Sequence, residues 1–393
     1  MPRVTGRYEV TIAGGESVRA FVPDRLTPGN PPLDLTRLDE RLRTAERALA
    51  RLDVAGAMVP SLDWFIYAFV RKEAVLSSQI EGTRATLVDL LNYEATAASA
   101  DAVPDADVEE VCNYVDALAF ARGQLAAPPA PPLSMRLLNA THARLMRGVR
   151  GATKMPGEVR QSQNWIGGSR PGNAAFVPPP PNLLADELSA LERYIHADDD
   201  LPVLLRAGLL HVQFETLHPY LDGNGRIGRL LISLLLEHWQ VLAQPLLYLS
   251  LFFKRHRAEY YRRLSLVRTD GDWEGWLDFF LDGVATIAHE AVATVRDLFA
   301  LVAADRAHLI DRPDTALAAV RLFELLPRSP IVTSSSVMRL LATTRPTAIR
   351  AIDTLVASSV LVETTGKRRD RAFAYDGYLK RLREGTEIGE GGP

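Results

Sequence analysis

Residues 201–239 read LPVLLRAGLLHVQFETLHPYLDGNGRIGRLLISLLLEHW. From Leu201 to Leu217 and again from Arg226 to Trp239, hydrophobic residues recur at helical spacing, while the intervening HPYLDGNG holds residues that break or bend a helix. The pattern predicts two buried helices meeting at a glycine-loosened bend, inside a mainly α protein. Within twelve positions the bend and the turn after it carry His218, Pro219, Asp222, Gly223, Asn224, Gly225, Arg226 and Arg229.

Each of these residue types has a chemical use at its position. Gly223 and Gly225 free the backbone to aim N–H groups at an anion, and the following helix presents its positive N-terminal end to the same place. Arg226 and Arg229, three apart in the first turn, can hold one polyphosphate between two guanidinium forks; without an anion they would oppose the helix dipole. Asp222 offers a hard oxygen ligand suited to Mg²⁺, and His218 a base that titrates near neutrality. Together they meet the needs of phosphate-group transfer to a hydroxyl, although the GxxxxGK(S/T) loop of P-loop enzymes is absent. Taken singly, the same residues make an ordinary loop, a tight Asp-Gly-Asn-Gly turn and two solvated arginines; the combination is what points to chemistry.

Working outward, helices are predicted from Leu35 to about Leu52 and from Leu62 to Ile80, the second stopped by Gly82. Residues up to Pro32 read as a polar, Pro-rich lead-in, and Ala95 to Asp107 as a loose connection. A helix containing Val111 to Gln124, the PPAPP spacer at Pro128 to Pro132, and helices at Ser134 to Arg147 and Asn182 to Ala197 follow. Between those last two, Asn164 to Val177 (NWIGGSRPGNAAFV) places β-prone pieces around a Gly/Pro/Asn centre, a hairpin signal ended by Pro178 to Pro181. Leu230 to Phe253 reads as a buried helix and its exit loop, and helical patterns at Arg255 to Val267 and Trp273 to Ala303 complete the middle.

The tail has a different character. Short helices at Val320 to Leu326, Ser334 to Ala342 and Pro346 to Ser358 precede a hairpin, LVETTGKRRDRAFAY, which is the order of a winged helix. There and just beyond, Lys367, Arg368, Arg369, Arg371, Lys380, Arg381 and Arg383 outnumber Asp370 and Asp376. DNA contact is one reading of this segment; protein contact or dimerisation is the other.

The chain has 393 residues, 47% of them hydrophobic and 24% charged, which places it among globular proteins of two or three domains. With 45 Lys and Arg against 48 Asp and Glu, its net charge of −3 excludes a protein whose whole surface binds polyanions. Cys112, the sole cysteine, excludes an internal disulfide, a CxxC redox pair and a multi-cysteine zinc site. With no secretory or transit pattern at the N-terminus, a reducing cytoplasm is the expected location. Glu237, His238, Gln240 and Gln244 interrupt the most apolar stretch, Leu230 to Phe253, so no membrane partner is expected.

HPYLDGNGRIGR resembles the signature of the Fic (filamentation induced by cyclic AMP) domain, HPFx(D/E)GN(G/K)RxxR, with Tyr220 in place of Phe. The resemblance implies a helical core, ATP with Mg²⁺ (Mn²⁺ being the alternative metal), and transfer of AMP to a Ser, Thr or Tyr hydroxyl of a protein, pyrophosphate leaving. It implies His218 as general base, Asp222 as metal ligand, and Gly223, Asn224 and Gly225 as an anion hole around the α- and β-phosphates. Arg226 would hold the β-phosphate side and Arg229 the γ-phosphate. Residues 164–177 fall where the family carries its flap, a hairpin that pairs edge-on with the target backbone.

Ser77 to Gly82 (SSQIEG) resembles the family's inhibitory motif, (S/T)xxxE(G/N). Ser77 and Glu81 are four apart and share a helix face, and Glu81 at the negative end of its helix calls for a cation, for which Arg229 is the candidate. Such a pair would withhold Arg229 from the γ-phosphate. The implied organisation is an N-terminal helical region over 1–105, a Fic core over 106–305 and a winged-helix-like unit over 312–384. Two competing functions are removal of AMP by the same site and DNA-binding regulation with a nucleotide-sensing core; relatives often dimerise, so a homodimer is also expected.

Overall fold

A computed structural model of the protein describes residues 3–58, 62–96, 104–313, 315–366 and 371–388. Where a lead-in without regular structure was expected, the chain opens with an antiparallel hairpin, β1 (Gly6–Ala13) and β2 (Glu16–Pro23). Its turn is Gly14-Gly15, both at positive φ, which suits a two-residue connection between right-twisted strands. Val18, Ala20 and Val22 on β2 alternate inward, the period-2 pattern that marks this hairpin in the sequence.

Helices then follow one another: α1 (Leu35–Met58), α2 (Leu62–Ile80), α3 (Leu87–Thr96), α4 (Ala106–Ala126), α5 (Met135–Leu145), α6 (Leu184–His196), α7 (Val203–Leu217), α8 (Asn224–His238), α9 (Ser250–Arg255), α10 (Arg257–Asp270) and α11 (Trp273–Ile310). On α1, Leu38, Leu42, Ala45, Leu49 and Leu52 form one apolar stripe, and this helix lies along α11. Every residue from Leu204 to Leu217 is buried, so α7 carries apolar side chains on all its faces, with Arg206, His211, Gln213, Glu215 and Thr216 as buried polar residues among them. The expected α7 and α8 are both present and pack on each other, with α2 and α4 closing over the N-terminal end of α8.

Two further differences concern the middle of the chain. The helix expected from Arg255 to Val267 is α10, and the residues before it, expected as an exit loop, form the short α9, parted from α10 where the backbone turns at His256 (φ −115°, ψ 36°). Residues 87–96, not anticipated as helical, form α3 with Leu87, Leu90 and Leu91 buried.

The tail comprises α12 (Leu317–Leu325), β3 (Ile331–Thr333), α13 (Ser334–Leu340), α14 (Arg345–Ala357), β4 (Val362–Glu363), β5 (Ala372–Ala374) and α15 (Asp376–Leu382). Its strands form one antiparallel sheet in the order β3-β5-β4. Lys367, Arg368, Arg369 and Asp370, the basic run of the expected hairpin, lie outside the described residues. Among the described residues no helix is long and apolar enough to cross a membrane.

Candidate active site at the junction of α7 and α8

Two residues in the left-handed region make the bend. His218 caps α7 at φ 49°, ψ 60°, and Gly223 precedes α8 at φ 77°. A non-glycine residue in that region is uncommon and is held there by its surroundings. Asn224, the first residue of α8, clamps the loop onto Tyr220: its Oδ1 accepts from the Tyr220 N–H and its Nδ2 donates to the Tyr220 carbonyl, both at 2.8 Å. The Asn224 side chain is thus committed to loop closure, and what it offers an anion is its backbone N–H. The first intrahelical bond of α8 runs from Ile227 N–H to Gly223 O, so the N–H groups of Asn224, Gly225 and Arg226 precede it as free helix-start donors.

Three buried side chains not singled out from the sequence hold this loop and the helix after it in place. His142 on α5 stacks on the Tyr220 ring at 3.9 Å between centroids, accepts at Nδ1 from Gly157 N–H and donates from Nε2 to the Asp222 carbonyl (2.8 and 2.9 Å). Because the peptide unit is planar, pinning the Asp222 carbonyl also aims the Gly223 N–H. Burial pushes the His142 imidazole down to about 4, which keeps it neutral and able to do both. Arg160, 1% exposed, donates to the carbonyls of His218 and Leu217 on one side and to Ser162 and Pro179 beside the flap segment on the other. His211 joins Gly228 O of α8 to the Tyr260 hydroxyl of α10. His142→Phe keeps the stack and removes both hydrogen bonds; each net hydrogen bond being worth about 1 kcal/mol, thermal melts are expected to show Tm lowered by several degrees with the fold retained.

The charged residues are all engaged. Arg229 is 2% exposed; its Nε donates to Ser77 Oγ, and its Nη2 donates to Ser77 O and to Glu81 Oε1, at 2.9, 2.9 and 2.7 Å. The ion pair sought for Glu81 is therefore present. Burial alone would lower the Arg229 pKa, but Glu81 beside it holds the guanidinium firmly protonated. A Cβ at Gly225 would collide with the Glu81 carboxylate, so this glycine is needed for Glu81 to reach the helix start. Arg226 is turned into the interior, with one Nη 3.3 Å from Glu110 Oε2 and its Nε without a partner. Glu110 also accepts from Thr83 Oγ1 at 2.8 Å and so ties the end of the SSQIEG segment to the HPYLDGNGR segment.

Asp222 accepts from Gly223 N–H at Oδ1 and pairs with Lys154 Nζ at Oδ2, 3.1 Å away. A carboxylate oxygen that faces outward and takes a cation fits a metal delivered with its nucleotide. Among the described residues no group of three or more His, Cys, Asp or Glu side chains is placed to hold a resident ion. The Asp222 carboxylate is a hard oxygen donor of the kind Mg²⁺ takes singly beside phosphate oxygens and water.

His218 is half-buried, its Nδ1 shielded from solvent and without a hydrogen-bond partner. Burial first, then the guanidiniums of Arg160 and Arg268, push its pKa far below the usual imidazole value, so the ring is neutral at physiological pH. One turn earlier Glu215 is buried with Oε1 unpartnered, and its carboxylate fills the space a Cβ at Gly228 would need. Burial raises its pKa to about 7 from 4.5. A carboxyl raised in the fold stabilises at low pH, and that contribution is lost as pH climbs from 4.5 through 7; the ionised form therefore costs up to about 3 kcal/mol at pH 8. Glu215→Gln is expected to raise Tm at pH 8 and to change it little at pH 5, as thermal melts at the two pH values will show.

The flap segment differs from the expected hairpin. Residues 164–177 make a single antiparallel bridge, Ile166 with Phe176, around a 3₁₀ turn at Pro171–Asn173. Gly167 and Gly168 at positive φ bend the chain too early for longer strands to pair. Instead the segment leans on the N-terminal hairpin: Phe21 N–H donates to Val177 O, Arg170 pairs with Glu16, and Ala13, Val18 and Ala20 pack with Val177, Trp165 and Ala174. Arg268 lies over the Phe176 ring at 3.9 Å.

The nine residues expected at the site fall into two groups, Ser77 on α2 with Glu81 just past its end, and His218, Asp222, Gly223, Asn224, Gly225, Arg226 and Arg229 on α8 or in the loop leading into it, and Arg229 joins the two. Glu110, His142, Lys154 and Arg160 were missed. The polar positions at Glu110 and His142 stand out on otherwise apolar helix faces, the one local signal they leave.

Comparison with known proteins agrees with this geometry. Residues 40–122 match the family described as Fic/DOC family N-terminal, and residues 132–236 the Fic/DOC family itself. Among curated relatives, a probable protein adenylyltransferase of Aquifex aeolicus (strain VF5) is 33% identical over 63 residues, 16% of this chain and 20% of that protein. The protein adenylyltransferase Fic of Drosophila willistoni is 27% identical over 267 residues, 62% of this chain, and that of Drosophila melanogaster 31% identical over 128 residues, 32% of this chain. The chain spans at most about half of these relatives, 49% and 23% of the two fly proteins. In fold it is similar to a Fic family protein from Desulfovibrio desulfuricans G20, with TM-score 0.55, 18% identity and coverage of 94% of this chain and 99% of that one. A Fic domain containing signaling protein from Bacteroides thetaiotaomicron VPI-5482 aligns with TM-score 0.51 and 16% identity over 64% of this chain and 97% of that one. The signature thus lies in its expected bend, inside the residues that match the Fic/DOC family, with the match to the Fic/DOC family N-terminal region preceding it.

Proposed function

We propose that this protein is an adenylyltransferase that moves AMP from ATP to a hydroxyl of a protein and is held off by Glu81. The reading is supported above all by one observation: a buried arginine in the first turns of α8 is held by Ser77 and Glu81 beside free helix-start N–H groups. In the active state those N–H groups cradle the α- and β-phosphates, and Arg229, released from Glu81, takes the γ-phosphate. Neutral His218 removes the proton of the incoming hydroxyl as its oxygen bonds to the α-phosphorus; the bond from that phosphorus to the bridging oxygen breaks and pyrophosphate departs. Asp222 would hold a Mg²⁺ ion brought with the nucleotide, which would neutralise charge on the phosphates. The hydroxyl belongs to a Ser, Thr or Tyr on an extended segment that lies along residues 164–177 and hydrogen-bonds to their backbone.

The test is incubation of the Glu81→Gly protein with ATP labelled on the α- or the γ-phosphate. Label retained on protein from the α-position alone supports AMP transfer; label from the γ-position would mean phosphorylation, and release of AMP from a pre-modified target faster than its addition would favour the reverse reaction.

A further inference from the structure

The last turn of α2 is gripped from the side opposite Arg229. Gln79, between Ser77 and Glu81 in sequence and on the other face of the helix, donates from Nε2 to the carbonyls of Ala85 and Thr386, at 2.9 and 2.8 Å. Its Oε1 accepts from Lys254 Nζ of α9 at 2.7 Å, and the same ammonium donates to the carbonyls of Gly385 and Glu387, at 3.0 and 2.8 Å. Thr386 is 1% exposed. Arg257 donates to the Ile80 carbonyl at 3.2 Å, taking one of the orphan acceptors at the helix end. Further up the same helix, Lys72 lies over the Tyr248 ring and feels the charges of Glu384 and Glu387. At its start, Asp63 pairs with Arg328 between α12 and β3.

We propose that residues 385–387, which follow α15, form a second lock on the helix that carries Ser77 and Glu81, so that loosening this segment from Gln79 and Lys254 releases Arg229 and switches the site on. The proposal rests on the reading of Glu81 as inhibitory. Its physical basis is the geometry of the helix end. Glu81 lies just past the last helical residue, where helices fray first, and its side chain is about one-third exposed. Arg229 holds Ser77 and Glu81 from one side, with Arg257 on the Ile80 carbonyl and Glu110 on Thr83 nearby; the Gln79–Thr386 and Lys254 bonds supply the opposite wall, with backbone carbonyls as acceptors. Because these carbonyls follow α15 directly, any movement of the tail relative to α9 is passed to the last turn of α2 without intermediaries.

Two variants test this outside the catalytic machinery. Lys254→Met and Gln79→Leu remove the bridging groups while preserving bulk. Both are expected to speed hydrogen exchange of the amides from Ser78 to Gly82 at least tenfold and to raise self-modification with ATP and Mg²⁺ three- to tenfold. Added to Glu81→Gly they are expected to give no further activation, since nothing is left to release. A chain ending at Glu384 should behave like Lys254→Met. If Glu81→Gly activates while both variants keep wild-type exchange and wild-type activity, the lock is overturned and the inhibitory reading stands. If Glu81→Gly is itself silent, the inhibitory reading falls, and with it the lock's consequence for activity, whatever the exchange data show about the contact.

Discussion

In a Glu81→Gly background, His218→Ala is expected to lower the rate of AMP transfer at least a thousandfold while leaving ATP affinity within about threefold. General-base removal costs about 10² to 10⁴ in rate, and the imidazole makes no contact that the anion cradle depends on. The cradle is built from backbone N–H groups of α8 and is held by Asn224, His142 and Arg160, none of which bonds to the His218 ring. Binding and chemistry should therefore separate. Since burial and the Arg160 and Arg268 charges hold the ring neutral, the acid limb of the rate should lie well below pH 6; an arriving polyphosphate raises its basicity from that low value. Single-turnover rates set beside calorimetric affinities measure both. A variant that loses affinity in parallel with rate would place His218 in nucleotide binding instead.

The other large effect is that of Glu81→Gly alone. Removing the carboxylate leaves Arg229 buried with only Ser77 as partner, a charge that a γ-phosphate can satisfy in place of Glu81. Self-modification should rise on the order of a hundredfold, equivalent to about 2.7 kcal/mol favouring the paired state. Glu81→Gln, which keeps bulk and a hydrogen bond but loses the charge, should give an intermediate rise. Label incorporation measured by scintillation distinguishes the three proteins. Equal rates across them would mean that the 2.7 Å pair does not gate the reaction.

How far the sequence reveals this arrangement depends on the range over which each interaction acts. The helices α2, α7 and α8 were visible because their apolar periodicity and glycine stops are local, and the bend between α7 and α8 because Gly223 and Gly225 have few other reasons to stand there. The Ser77–Glu81 segment and its pairing with Arg229 could be anticipated from a helix-end carboxylate that needs a cation. The contacts that stiffen the site could not. Arg160 is useful because four backbone carbonyls converge on it, and backbone carbonyls carry no residue-specific signal. Glu110 reaches Arg226 across 116 positions and Gln79 reaches Thr386 across 307. The β1–β2 hairpin leaves its Gly14-Gly15 turn in the sequence, but the prolines that follow it give the whole stretch the composition of a linker. The flap was over-read: β-prone residues were present, but Gly167 and Gly168 limit the pairing to one bridge.

The central claim is that the start of α8 is a triphosphate site whose γ-phosphate position is occupied by Glu81. Titration calorimetry of ATP, ADP and AMP, each with Mg²⁺, into the wild-type and Glu81→Gly proteins tests it most directly. The account predicts that the substitution tightens ATP at least tenfold and leaves ADP and AMP within about twofold, because only ATP carries the phosphate that Arg229 is freed to hold. Equal changes for all three nucleotides, or no change for ATP, would contradict it.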